Sequence, residues 1–235
     1  MQIVEKLKDQ AWKEVLTQLV KVGKEIDKGP LFELYALHLL RKGGFKFDIK
    51  GLTLNSDTRT ETLDIPVKPN VKTFKTPNEL SALSTQPGTL FIPTIPNFPC
   101  IDSALGPDIL FQVTISSNHP IKQAPLKGML EKILGNNRKK KIRLIFVVPD
   151  SIYTDFKAQN YDTEKDAPSS AIPKIIQNHV DQYAMRINLD AAYRGGSPGS
   201  SSGVQGSSGS PGSSSGVHGS SGSPGSNRVN GSGGG

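Results

Sequence analysis

Asn97-Phe98-Pro99-Cys100-Ile101-Asp102, followed by Gly106-Pro107-Asp108 and then by Phe111-Gln112-Val113-Thr114, is the stretch that decides the fold. An acid closes one short apolar segment, and a polar pair interrupts the next. Gly106-Pro107-Asp108 is turn chemistry. Two neighbouring strands joined by a tight turn are therefore expected, with Asp102 and Gln112 at one edge of a sheet. Oxygen ligands gathered in this way suit a hard divalent cation. A carboxylate in such a strand is costly unless a partner or a metal neutralises it, so function is expected here.

Working outward, the pattern alternates between helix and strand. Residues 2–28 place Leu7, Trp12, Leu16, Leu19 and Ile26 at helical spacing, with charges on the other face. Gly29-Pro30 opens a second helix, Leu31 to Leu40, which ends in Arg41-Lys42-Gly43-Gly44 with the basic residues and glycines of a helix stop. Strands are expected at Phe45–Lys50, Leu63–Val67, Val71–Phe74, Leu90–Ile92, Cys100–Ala104 and Ile109–Ser116. Thr76-Pro77-Asn78-Glu79 reads as a capping box for a short helix over Pro77–Leu83. A helix is expected from His119-Pro120 through Leu134. Ile142–Val148 is a continuous apolar run, the mark of a strand buried on both faces. A helix over Ile172–Gln182 and a strand over Tyr183–Leu189 close the folded part. The order predicts an α/β layered domain, a mixed β-sheet flanked by helices.

Composition divides the chain into an amphipathic helical arm over 1–28, an α/β domain over 29–194, and a Gly/Ser/Pro tail over 195–235. In the tail a repeat that begins at Ser197 returns at Ser210 and again at Ser223. Such a segment buries too little apolar surface to offset its ordering entropy, so disorder is expected there. The formal net charge is +7, and the tail contributes only Arg228 to it. Arg138, Lys139, Lys140, Lys141 and Arg143 form the densest basic cluster. It reads equally as a phosphate-contacting patch, an import signal or a solvated loop. Cys100 is the one cysteine. That excludes a disulfide framework and a cysteine zinc site, and its apolar neighbours suggest a small buried residue. No apolar run approaches the roughly 18 residues of a membrane span, so no membrane partner is expected. Met1 begins a charged amphipathic segment unlike a signal peptide, which predicts an intracellular chain or one whose leader lies outside this sequence.

Residues 90–102 and 110–122, together with Leu144–Asp150 and Gln182–Ile187, resemble the C-terminal effector domain of Crinkler and retrotransposon-hot-spot-type proteins. The resemblance runs from about Gly29 to Leu189. Those domains have been likened to PD-(D/E)xK nucleases of the restriction-endonuclease fold. The resemblance therefore implies a Mg²⁺-dependent phosphodiesterase acting on DNA, placed in the nucleus of a host cell if the protein is a secreted effector. It puts the aspartate of the motif at Asp102, the acid-x-lysine half on Gln112-Val113-Thr114, and the glutamate of the preceding helix at Glu33. Asp102, Gln112, Glu33 and the Val113 carbonyl would then hold the metal. An acid at Glu33, inside Leu31-Phe32-Glu33-Leu34-Tyr35, fits this, because a purely structural helix more often turns an acid to water.

The chain departs from the motif in two places. Gln112 keeps an oxygen but loses a charge, and Thr114 stands where the lysine belongs. Losing one such electrostatic contact costs roughly 10²–10³ in rate. His119 and Lys122 lie just beyond the strand as replacements, and His119 reads equally as a turn residue. Such proteins often carry an upstream NTPase module. No Walker-type loop occurs here, which would make the chain a fragment or a reduced form. Two alternatives stand beside hydrolysis. One is an inactive module that binds DNA or a host protein on the same fold. The other is a scaffold whose arm over 2–28 docks on a helical partner, against which stands the plainer expectation that this stripe packs on the domain itself.

Overall fold

The computed structural model describes residues 9–21, 28–52, 60–135, 137, 139–162 and 171–199. In chain order the elements are α1 (Asp9–Lys21), α2 (Gly29–Lys42), β1 (Lys46–Gly51), β2 (Thr60–Asp64), β3 (Asn70–Phe74), a 3₁₀ helix (Pro77–Thr85), β4 (Thr89–Pro93), β5 (Ser103–Leu105), β6 (Ile109–Val113), β7 (Ile121–Lys122), α3 (Gln123–Leu134), β8 (Ile142–Pro149), α4 (Asp150–Tyr153), β9 (Tyr161–Asp162), α5 (Lys174–His179), β10 (Val180–Ile187) and α6 (Leu189–Tyr193).

An eight-stranded mixed sheet runs β2-β1-β10-β8-β6-β5-β4-β3. Its centre is parallel, β10 on β8 on β6, and it turns antiparallel at β5, β4 and β1. Each face carries its own apolar core. Leu110, Phe146, Leu144 and Ala184 point to a layer that includes the 3₁₀ helix, α3 and α5. Phe111, Val113, Ile145 and Met185 point to a layer that includes α1 and α2. β8 reads apolar throughout because both of its faces are covered, as its sequence predicts. The fold is thus α/β, with a large mixed sheet between helices.

Several boundaries move for local reasons. The expected strand Cys100–Ala104 starts only at Ser103, because Cys100 sits at φ 65, in the left-handed region where an extended strand cannot continue. Strand Ile109–Ser116 ends at Val113, where Thr114 Oγ1 accepts from Ser116 N at 3.0 Å and turns the chain. The helix expected from His119 begins at Gln123. Ile121 and Lys122 pair instead with Tyr161 and Asp162. The expected helix over Ile172–Gln182 stops at His179, and Val180 opens β10 beside β8. Glu79 does close back on Thr76, accepting from Thr76 N and Thr76 Oγ1 at 3.1 Å each.

α1 is no free arm. Trp12, Leu16 and Leu19 are buried in the core shared with α2, and Trp12 stacks on His38 at 4.0 Å. That satisfies His38 as a structural residue. At the other terminus the ordered chain continues past Gly195. Pro198 O accepts from Asn188 N at 2.7 Å, and Gly196 N donates to Ala191 O. Residues 1–8 and 22–27 of the expected first helix and residues 200–235 of the tail lie outside the described residues.

Candidate active site

The β5–β6 hairpin delivers Asp102 to the carboxyl end of β6, as expected from its turn. Ser103 pairs with Phe111, and Asp102 N donates to Phe111 O at 2.8 Å. The carboxylate then folds onto the neighbouring strand, where Asp102 Oδ2 accepts from Val113 N at 2.6 Å. Glu33 reaches the same end of the sheet from α2. Burial, opposed by the Val113 hydrogen bond and reinforced by the charge of Glu33, pushes the Asp102 carboxyl up to about 7. Glu33 is an exposed residue, yet enough protein surrounds its carboxyl for desolvation to raise it as well. Among the described residues no lysine, arginine or histidine forms an ion pair with either acid.

Gln112 takes a different course. It pairs with Phe146 in the sheet and shares that residue's face, under α3, away from α2. Gln112 Nε2 lies 2.7 Å from His119 Nε2, and Gln112 Oε1 is buried with no hydrogen-bond partner. If the Gln112 amide donates here, His119 Nε2 accepts and the ring proton is on Nδ1. Burial lowers the His119 pKa. Gln112, His119 and Lys122 line one cavity of about 340 Å³, with Phe98, Pro99, Cys100, Pro120 and Pro125 among its walls. Asp102 and Gln112 thus share one end of the sheet, with no hydrogen bond between them. Thr114 is 7% exposed, and its hydroxyl is used to turn the loop.

The donor set suits a hard cation at Asp102 and Glu33. Mg²⁺ needs one or two protein acids, with water and phosphate oxygens filling the octahedron, and among the described residues neither carboxylate has a cationic partner. Among the described residues no group of three His, Cys, Asp or Glu side chains gathers as a metal cluster.

The basic loop lies elsewhere. Arg143 pairs with Ile109 at the start of β6, while Val147 pairs with Val113 at its end. The loop is therefore four residues, roughly 13 Å, from the acids along the strand. Its charges are also engaged: Arg143 with Asp108 at 3.1 Å, Lys141 with Asp181 at 3.2 Å, and Lys140 Nζ donating to Pro107 O at 2.5 Å. Lys139 is exposed, and Arg138 lies outside the described residues. The Cys100 thiol, pushed up to about 12 chiefly by burial, is inert as a nucleophile.

Sequence patterns gave no signal for Gln159 and Gln182. Gln159 Oε1 accepts from His119 N at 2.5 Å, its amide donates to Ser117 O, and Gln182 clasps the Gln159 backbone through both amide atoms. These long-range bonds hold the His119 loop over Gln112. Arg186, bridging Asp48 and Asp150, was equally silent. No family model, curated protein or solved structure matches the chain. No described helix is long and apolar enough to cross a membrane.

Proposed function

We propose that this chain is a Mg²⁺-dependent DNA phosphodiesterase of the Crinkler type, built on a restriction-endonuclease-like core. The observation that carries the reading is Asp102 at the carboxyl end of a central strand, its carboxyl raised by burial and by the charge of Glu33, with no cationic partner among the described residues. The surrounding order supports it: a helix carrying Glu33, then the antiparallel strands β4, β5 and β6, the crossover helix α3 and the parallel strand β8. Ligands of open α/β sheets gather at the carboxyl ends of their strands.

Asp102, Glu33 and the Val113 carbonyl would hold the ion, which would supply charge neutralisation at the phosphate and a lowered pKa for the attacking water. The Val113 amide fixes the Asp102 carboxylate, so no reorientation is needed when substrate arrives. Lys122, on the neighbouring cavity wall, supplies the positive charge that Thr114 lacks. Gln112 leaves the metal shell and orients His119 instead.

The full chain is expected to nick supercoiled plasmid in Mg²⁺, and Asp102→Asn to lower the rate at least about a hundredfold. Equal nicking by the variant rules out the site. The second reading is an inactive DNA- or host-protein-binding module. The Thr114 hydroxyl, spent on its own loop, favours it. DNA binding that ignores EDTA but falls steeply with salt, without nicking, is its signature.

A further inference from the structure

The chain beyond α6 repeats itself. Gly-Ser-Pro-Gly-Ser stands at residues 196–200, again at 209–213 and again at 222–226, thirteen residues apart each time. The first copy is docked on the α/β domain as far as Gly199. Pro198 and Gly199 are buried there, while Ser197 is exposed. The later copies lie outside the described residues.

The seat is made by the end of β10, by α6 and by β1. Asn188 N, just past β10, donates to Pro198 O at 2.7 Å, and Gly196 N donates to Ala191 O at 2.8 Å. Asn188 is itself fixed: it is 2% exposed, and its Oδ1 caps α6 by accepting from Ala191 N at 2.8 Å. The two glycines are read by the space they leave. A Cβ at Gly199 would overlap the Lys46 carbonyl oxygen at the start of β1, and a Cβ at Gly196 would lie 3.2 Å from Ala191 O. Proline fixes its own φ, so the segment loses less freedom on docking. What the seat recognises is therefore Gly-x-Pro-Gly, with x facing water. That pattern occurs in the chain only as the three copies.

We propose that this seat is a binding site for Gly-x-Pro-Gly segments, and that residues 209–212 and 222–225 are further ligands for it, each able to take the place of the first copy. The three segments are identical in sequence, so each can make the same two hydrogen bonds and meet the same steric limits. A copy one or two repeats further along is still tethered, so it competes at an effective concentration of roughly millimolar. The first copy has the advantage, because it follows α6 directly and its docking closes no extra loop. Once that copy is disabled, a later one takes the seat, and the point at which the tail is anchored moves by a whole repeat.

The test is hydrogen exchange of the Asn188 amide, followed by NMR on the full chain. That amide is covered by Pro198 O in the docked state. Gly199→Val disables the first copy, and the triple variant Gly199→Val/Gly212→Val/Gly225→Val disables all three. With only the first disabled, a later copy is expected to keep the amide covered, so exchange is expected to be at least about tenfold faster in the triple variant. Gly212→Val/Gly225→Val, which leaves the first copy intact, is expected to exchange like the wild type. Equal rates in Gly199→Val and the triple variant overturn the proposal, and so does a double variant as fast as the triple. The Phe146 amide, in β8 at the centre of the sheet, reports whether each variant is folded. If Gly199→Val is not, Gly199→Ala replaces it in both proteins and the same outcomes decide.

Discussion

Asp102 works against the fold for as long as no cation stands beside it. Its carboxyl ionises near pH 7 in the folded chain, against an ordinary value of 3.8. Below about pH 4 it is protonated in both states and costs nothing. As pH rises from there to 7, the unfolded chain gives up its proton first, so stability falls, by at most about 4 kcal/mol, and stays lowered above pH 7. Asparagine at this position keeps an acceptor for Val113 N and cannot ionise. In EDTA, urea denaturation of Asp102→Asn should lose that slope, and the variant should exceed the wild type in stability at pH 8 while matching it more nearly at pH 4. A variant weaker than the wild type at pH 8 contradicts the assignment of Asp102 as a half-buried acid that its hydrogen bond from Val113 N does not fully compensate. The residue types of this site were legible in the sequence, since an acid at the end of an apolar strand stands out. The direction of Gln112 was not. Strand alternation puts it on the face of Phe146, but its hydrogen bond to His119 depends on a loop held by Gln159, forty residues further on.

At the scale of elements, local chemistry was a good guide wherever the deciding contact is local. Gly43 shows it. It ends α2 at φ 60, its amide donates to Leu39 O at 2.9 Å, and a Cβ there would lie 1.8 Å from Pro66 O. Gly43→Ala should destabilise the chain by more than about 1 kcal/mol, read as a shift in the urea midpoint. An unshifted midpoint would mean that this turn is not as tight as described. The 3₁₀ helix was equally legible, because its Thr76–Glu79 closure spans only three residues. Where pairing partners are distant, local propensity lost. His119-Pro120 looks like a helix start, yet Ile121 N donates to Asn160 O and the segment joins β9 first. Val180–Gln182 continue a helical pattern in sequence, yet β8 offers a full parallel ladder and the strand wins.

At the scale of the molecule, the layer order follows from two cores on one sheet. The amphipathic stripe of α1 packs into one of them through Trp12, Leu16 and Leu19. The net charge of +7 pointed to a polyanion. Of the basic loop that suggested where, Lys141 and Arg143 are held in ion pairs at the far end of β6. What remains at the carboxyl end is a pair of acids from α2 and β5–β6 beside a cavity lined by Gln112, His119 and Lys122. The most direct test is calorimetric titration of the full chain with Mg²⁺ at pH 8, wild type against Asp102→Asn. The account predicts one binding event in the wild type, accompanied by proton release that shrinks with rising pH, and none at that site in the variant. Identical heats from both proteins, or no binding by the wild type, would contradict it.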